Sequence, residues 1–142
     1  EKNTMDLVET RMLLEVSIAR LAAQRWEGNE LAELKEILER MKQDSLTDFV
    51  DADVQFHLKL YDMAKNSVLK NMLSSIRNLL HTWIKCVIEK AGETAFSYLD
   101  HLAIYEAVAR RDPDGAAKAM QLHMDDASRR LIAALKEAEH MS

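Results

Sequence analysis

The sequence predicts an all-α fold, an antiparallel bundle of about six helices, and three observations carry that expectation. Glycine and proline are scarce, three and one in 142 residues, while the good helix formers Ala, Leu, Glu, Lys and Met abound. Apolar residues recur every three or four positions through long stretches. No strand-like alternation, internal repeat or low-complexity segment interrupts them.

The first helix spans about Met5 to Trp26, with Leu7, Met12, Leu14, Ile18, Leu21 and Ala22 as its inward stripe. Gly28 and Asn29 break it. The second, about Glu30 to Gln43, sets Leu31, Leu34, Ile37, Leu38 and Met41 against an outer face of Glu and Lys. A linker from Asp44 to Leu46 leads to Thr47 or Asp48 as N-cap, and the third helix runs to about Lys65. Asn66 suits the C′ position and Ser67 the next cap. The fourth helix, about Val68 to Lys90, is the longest and richest in large apolar residues, and Gly92 ends it. The fifth covers about Phe96 to Arg110. Asp112-Pro113 then supplies a cap and a first helical residue for the sixth, which reaches Leu135 or beyond.

The totals fit one globular domain over residues 1–142 with a real core, since 48% of residues are apolar and 30% charged. A net charge of −5, with Lys and Arg scattered among acids, argues against this piece gripping nucleic acid by itself. No apolar run is long enough for a membrane span, and the amino end lacks a signal peptide's layout, so a soluble chain is expected. Cys86 stands alone, so no internal disulfide is possible, which fits a reducing cytoplasm. Its simplest role is a small buried hydrophobe. The chain begins at Glu1 without an initiator Met, so a preceding segment is expected to have been removed.

The candidate chemistry rests on histidines. Asp53 and His57 are four residues apart in a helix, so carboxylate and imidazole project side by side. Val50, Val54, Leu58 and Tyr61 surround them, which turns the pair inward, where ionisable groups need partners. His101 shares a face with Ile104, Tyr105 and Val108, and His123 with Ala119, Met120 and Ala127. One carboxylate and three imidazoles suit a divalent transition metal, zinc foremost, with Ni, Mn, Fe or Co as candidates. Each residue taken alone also fits a satisfied core position without metal. Asn78 and His81 lie on one face of the fourth helix and are candidates to line the same cavity, or to bond between helices. Trp83 reads as packing, and Met41, Met63, Met72 and Met120 read as core filler.

Four segments, in order, resemble the FCD domain, the effector-binding half of FadR-type GntR bacterial transcription regulators. They are LVETRMLLEVSIARLAA (Leu7 to Ala23), Asp53-Val-Gln-Phe-His57-Leu-Lys-Leu continued by Asn66-Ser-Val-Leu69, His101-Leu-Ala-Ile-Tyr-Glu-Ala-Val108, and Pro113 through His123 with a later Arg129. The resemblance implies that Asp53, His57, His101 and His123 bind the metal. It implies that Arg11 reaches the carboxylate of a small organic acid (hydroxy-, keto- or dicarboxylate). The physical reason is that guanidinium meets carboxylate through two parallel hydrogen bonds. The alternative for Arg11 is a surface pair with Glu15 at i+4.

The resemblance further implies an effector sensor rather than an enzyme, acting as a cytoplasmic homodimer. Operator DNA would be bound only through a winged helix-turn-helix absent from this chain. Surface apolar residues of the first and fourth helices are the expected self-association face. The rival readings are a metal-dependent hydrolase or oxygenase and a metal-free helical interaction domain. No spare carboxylate is clearly placed to serve the enzyme as a base.

Overall fold

Six helices make up the secondary structure of the described residues, which in this computed structural model are 2–42, 46–91 and 94–141. They are α1 (Lys2–Arg25), α2 (Glu30–Arg40), α3 (Leu46–Met63), α4 (Ser67–Ala91), α5 (Thr94–Ala109) and α6 (Pro113–Met141), so α6, with 29 residues, and not α4, with 25, is the longest. No strand occurs among the described residues, and none of these helices is long and apolar enough to cross a membrane.

The junctions show which local forces set the ends. Gly28 takes φ +58 just after α1, a left-handed conformation that costs glycine little. The left-handed residue after α3 is Lys65, φ 56, and not the expected Asn66. Asn66 instead caps α4, its Oδ1 accepting the Leu69 N–H at 3.1 Å, so it takes the role expected of Ser67, which is the first helical residue. An Asx oxygen just before the first helical residue satisfies one of the orphan donors of the first turn. Because α3 already starts at Leu46, Thr47 and Asp48 lie in its first turn and not at its cap. Gln43, Asp44 and Gly92 fall outside the described residues, as does the Cys86 side chain.

At the α5–α6 corner the expectation holds. Asp112 Oδ1 accepts the Gly115 N–H at 2.9 Å, and Pro113 is the first residue of α6. Asp112→Ala should therefore lower stability by about 1 kcal/mol, seen as an earlier urea midpoint at unchanged slope.

Helix α1 runs through the middle of the packing, touching α3, α4, α5 and α6, while α2 closes over α3 and α5. Ile18, Leu34, Phe56, Leu60, Leu73, Ile104 and Met120 are fully enclosed in the main cluster, and Val8, Ile76, Leu80 and Leu131 form a second one. Trp26 pins the end of α1. Its indole N–H donates to the Val108 carbonyl at 2.9 Å, and the Arg111 guanidinium lies 3.9 Å over its ring. Met41, Met63 and Met120 fill the core as expected, and Trp83 packs on the second cluster. Met72 does not: it is 46% exposed, on the outer face of α4 with Val68 and Leu79. Its helical spacing matched a buried stripe, but α4 turns that stripe outward.

Candidate metal centre

Three helices bring four donors together. On α3 the buried Phe49, Ala52, Phe56 and Leu60 set the inward face, and Asp53 and His57 ride at its edge. Helix α5 contributes His101 and α6 contributes His123, each turned inward by apolar neighbours. One ligand atom from each of Asp53, His57, His101 and His123 lies within 4.8 Å of the others, and all four residues are buried. His101 Nε2 is 2.9 Å from Asp53 Oδ1, and His57 Nε2 is 3.7 Å from the same oxygen. The His101 and His123 rings meet at 4.5 Å between centroids, and Phe56 packs edge-on against His101 at 4.8 Å. The rings are thereby wedged in place.

Two of the imidazoles are held from behind by carboxylates. His57 Nδ1 is 3.3 Å from Glu15 Oε1, and His123 Nδ1 is 3.1 Å from Asp100 Oδ2. A carboxylate accepts, so each Nδ1 carries the proton and each Nε2 keeps its lone pair. His57 Nε2 is buried and makes no hydrogen bond. Such an orphan is costly in a folded interior unless something else occupies its lone pair. A cation does so, and the donor set fits one: neutral imidazoles and an ionised carboxylate, with outer carboxylates behind the rings.

The electrostatics prepare those charge states. Burial, aided by the Arg77 charge, pushes His57 down to about 4 against the pull of Glu15. Burial and the neighbouring His101 likewise lower His123, with Asp100 opposing. For Asp53 burial alone would raise the carboxyl, but the close approach of His101 and the positive charge gathered around it, Arg77 the lasting part of it once the rings are neutral, outweigh burial and hold the group well below the usual range. Glu15 behaves alike: burial opposes ionisation, and His57, Arg11 and Arg77 overcome it. Since His57 is neutral at pH 7, the two arginines do most of that work there.

Glu15 is the hub of this second layer. Its Oε2 accepts the Tyr61 hydroxyl at 2.9 Å and lies 3.5 Å from Arg77 Nη1 and 3.4 Å from Arg11 Nε. Arg77 also reaches Asp53 Oδ2 at 3.8 Å. The Arg11–Glu15 pair thus exists, but it is buried and not a surface pair, and Arg11 Nε has no hydrogen bond of good geometry. Glu15 and Asp100 do stand beside the four donors, but each is paired with an imidazole, so neither is a spare carboxylate. Arg77 and Tyr61 were not singled out from sequence. A signal existed: Arg11 and Glu15 share the face of α1 that buries Val8, Ile18 and Ala22, and charges within an apolar stripe need partners.

Between α3 and α4 a cavity of about 90 Å³ reaches Asp53. Val54, Ser74, Arg77, Asn78 and His81 are among its lining residues. Asn78 and His81 are themselves exposed, so they sit at the mouth, whereas Arg77 is buried at the inner end. Arg11 does not line this cavity and meets it only through Glu15 and Arg77.

Comparisons with known proteins bear on the family and the fold. The FCD domain profile matches residues 6–126. The chain is 30% identical over 122 residues to the HTH-type transcriptional repressor NanR of Cronobacter sakazakii, covering 82% of the chain and 46% of that relative. It is 28% identical over 131 residues to the HTH-type transcriptional regulator LutR of Bacillus subtilis, covering 87% and 60%. The Streptococcus agalactiae GntR structure superposes with a TM-score of 0.70 and 26% identity over 89% of this chain and 58% of that one. The chain spans about half the length of the curated relatives it matches.

Proposed function

The chain belongs to the FCD domain family, and from that premise we propose that it is the effector-sensing domain of a GntR-type regulator of the FadR subfamily. Its ligand would be a small hydroxy-, keto- or dicarboxylic acid, taken up at a divalent cation, zinc first among candidates. The observation that carries the reading is the buried meeting of Asp53, His57, His101 and His123, with His57 Nε2 lacking any hydrogen bond. A bound cation supplies vacant coordination positions that accept a carboxylate or hydroxyl oxygen.

The chain's own residues then do the rest. Arg77 at the inner end of the cavity offers its guanidinium to the acid, Arg11 adds its charge from behind through Glu15 and turns to the acid once it is bound, and Asn78 and His81 offer polar contacts at the mouth. An enzyme reading lacks a free base beside the donors among the described residues, because Glu15 is committed to His57, Tyr61, Arg11 and Arg77, and Asp100 to His123. Operator DNA falls to a helix-turn-helix module outside this chain. Two copies pair through the exposed apolar residues of α1 and α4, Leu13, Met72 and Leu79. Acid binding shifts DNA affinity only by as much as the two quaternary states differ in affinity for the acid.

Elemental analysis of untagged protein should find about one equivalent of metal per chain. A panel of short hydroxy-, keto- and dicarboxylic acids should then raise the melting temperature of the metal-loaded chain without being consumed. At a hundredfold excess over Kd, binding adds about 2.7 kcal/mol. Arg11→Ala should lose that response and keep the metal. Turnover of the acid would favour an enzyme, and a panel with no effect would refute acid sensing.

A further inference from the structure

Glu15 has two faces, and they point to different tasks. Its Oε1 meets His57 Nδ1 at 3.3 Å, while Oε2 gathers Tyr61, Arg77 and Arg11. The side chain is fully enclosed by protein. We propose that Glu15 is the positioning residue of the cation site: it keeps the proton of His57 on Nδ1 and so commits Nε2 to the cation. This rests on the metal reading above. A carboxylate suits the position because both its oxygens accept, so on one side it accepts from Tyr61 and Arg77 and balances the Arg11 charge, and on the other it still orients the ring.

Glutamine has nearly the same shape but opposite ends. In Glu15→Gln the amide oxygen is drawn to Tyr61 and the two arginines, which leaves the NH2 facing His57. That group needs an acceptor, so the ring proton moves to Nε2 and blocks the lone pair the cation requires. Tyr61→Phe removes a hydrogen bond from the same carboxylate but leaves its charge and its contact with His57. A merely structural role for Glu15 would make the two variants alike.

The test reads the His57 tautomer by nitrogen-15 NMR on the metal-free chain, and zinc affinity by titration with a competing chelator. The wild type should show the Nδ1–H form. Glu15→Gln should show the Nε2–H form and a zinc Kd raised about 10–100-fold, while Tyr61→Phe keeps the Nδ1–H form and changes Kd less than about threefold. An Nε2–H ring in the wild type overturns the proposal, even should Glu15→Gln fail to fold. A Glu15→Gln variant that binds zinc as the wild type does overturns the role of Glu15 alone. A wild type that takes up no zinc overturns the metal reading, and this role with it.

Discussion

Zinc uptake is expected to fall from about one equivalent per chain to none detectable when His57 and His101 are both replaced by alanine. The two rings come from α3 and α5, both are fully buried, and their Nε2 atoms lie 3.7 and 2.9 Å from Asp53 Oδ1. Residues that only support such ligands already change affinity about 10–100-fold, so removing two ligands costs far more. The loss should also appear in stability. With free zinc at about a thousand times its Kd, binding stabilises the wild-type fold by about 4 kcal/mol, on the order of 10 °C in Tm for a domain of this size. The double variant should show no zinc-dependent shift at all. Circular dichroism separates lost binding from lost folding. Retention of one equivalent of zinc by a folded double variant would rule out this ligand set.

The second large effect is acid lability of the metal-free domain. His57 titrates near 4 in the fold, against about 6.5 for an unfolded chain. Between those values the unfolded chain holds a proton that the folded one does not, so stability rises with pH across that window. The neutral ring therefore contributes fully above about pH 6.5, and the contribution drains away as pH falls towards 4. The span is worth about 3 kcal/mol. His123 is lowered as well and acts in the same sense. Asp53 and Glu15, both held below the usual carboxylate range, add a loss that begins at about pH 5 and continues downward. Urea midpoints at a series of pH values from 7 to 4, with an unchanged slope, measure the sum. A flat profile would mean that His57 is charged or exposed in the folded domain.

How much of this was legible without coordinates varies from residue to residue. The i,i+4 spacing of Asp53 and His57 fixes their common direction, because helical geometry alone sets it, and the apolar neighbours of His101 and His123 give their inward faces. Asp112-Pro113 declares the start of α6 through local backbone chemistry. Met72 shows the opposite case. Its spacing marks a stripe, but whether a stripe faces the core depends on where the other helices lie. Asn66 and Ser67 differ only in which side chain reaches the Leu69 N–H, a matter of one residue in loop geometry.

Amino-acid order by itself determined an all-helical chain, the start of α6, and four donors that point inward, since periodicity, capping and burial cost act over one or two turns. Only the tertiary structure decided what stands behind those donors. Glu15 meets His57 across 42 positions and Arg77 across 62, and Asp100 meets His123 across 23. No local rule links residues so far apart. Their contact depends on how α1, α3, α4, α5 and α6 pack, and that packing places a second layer of charge around the site.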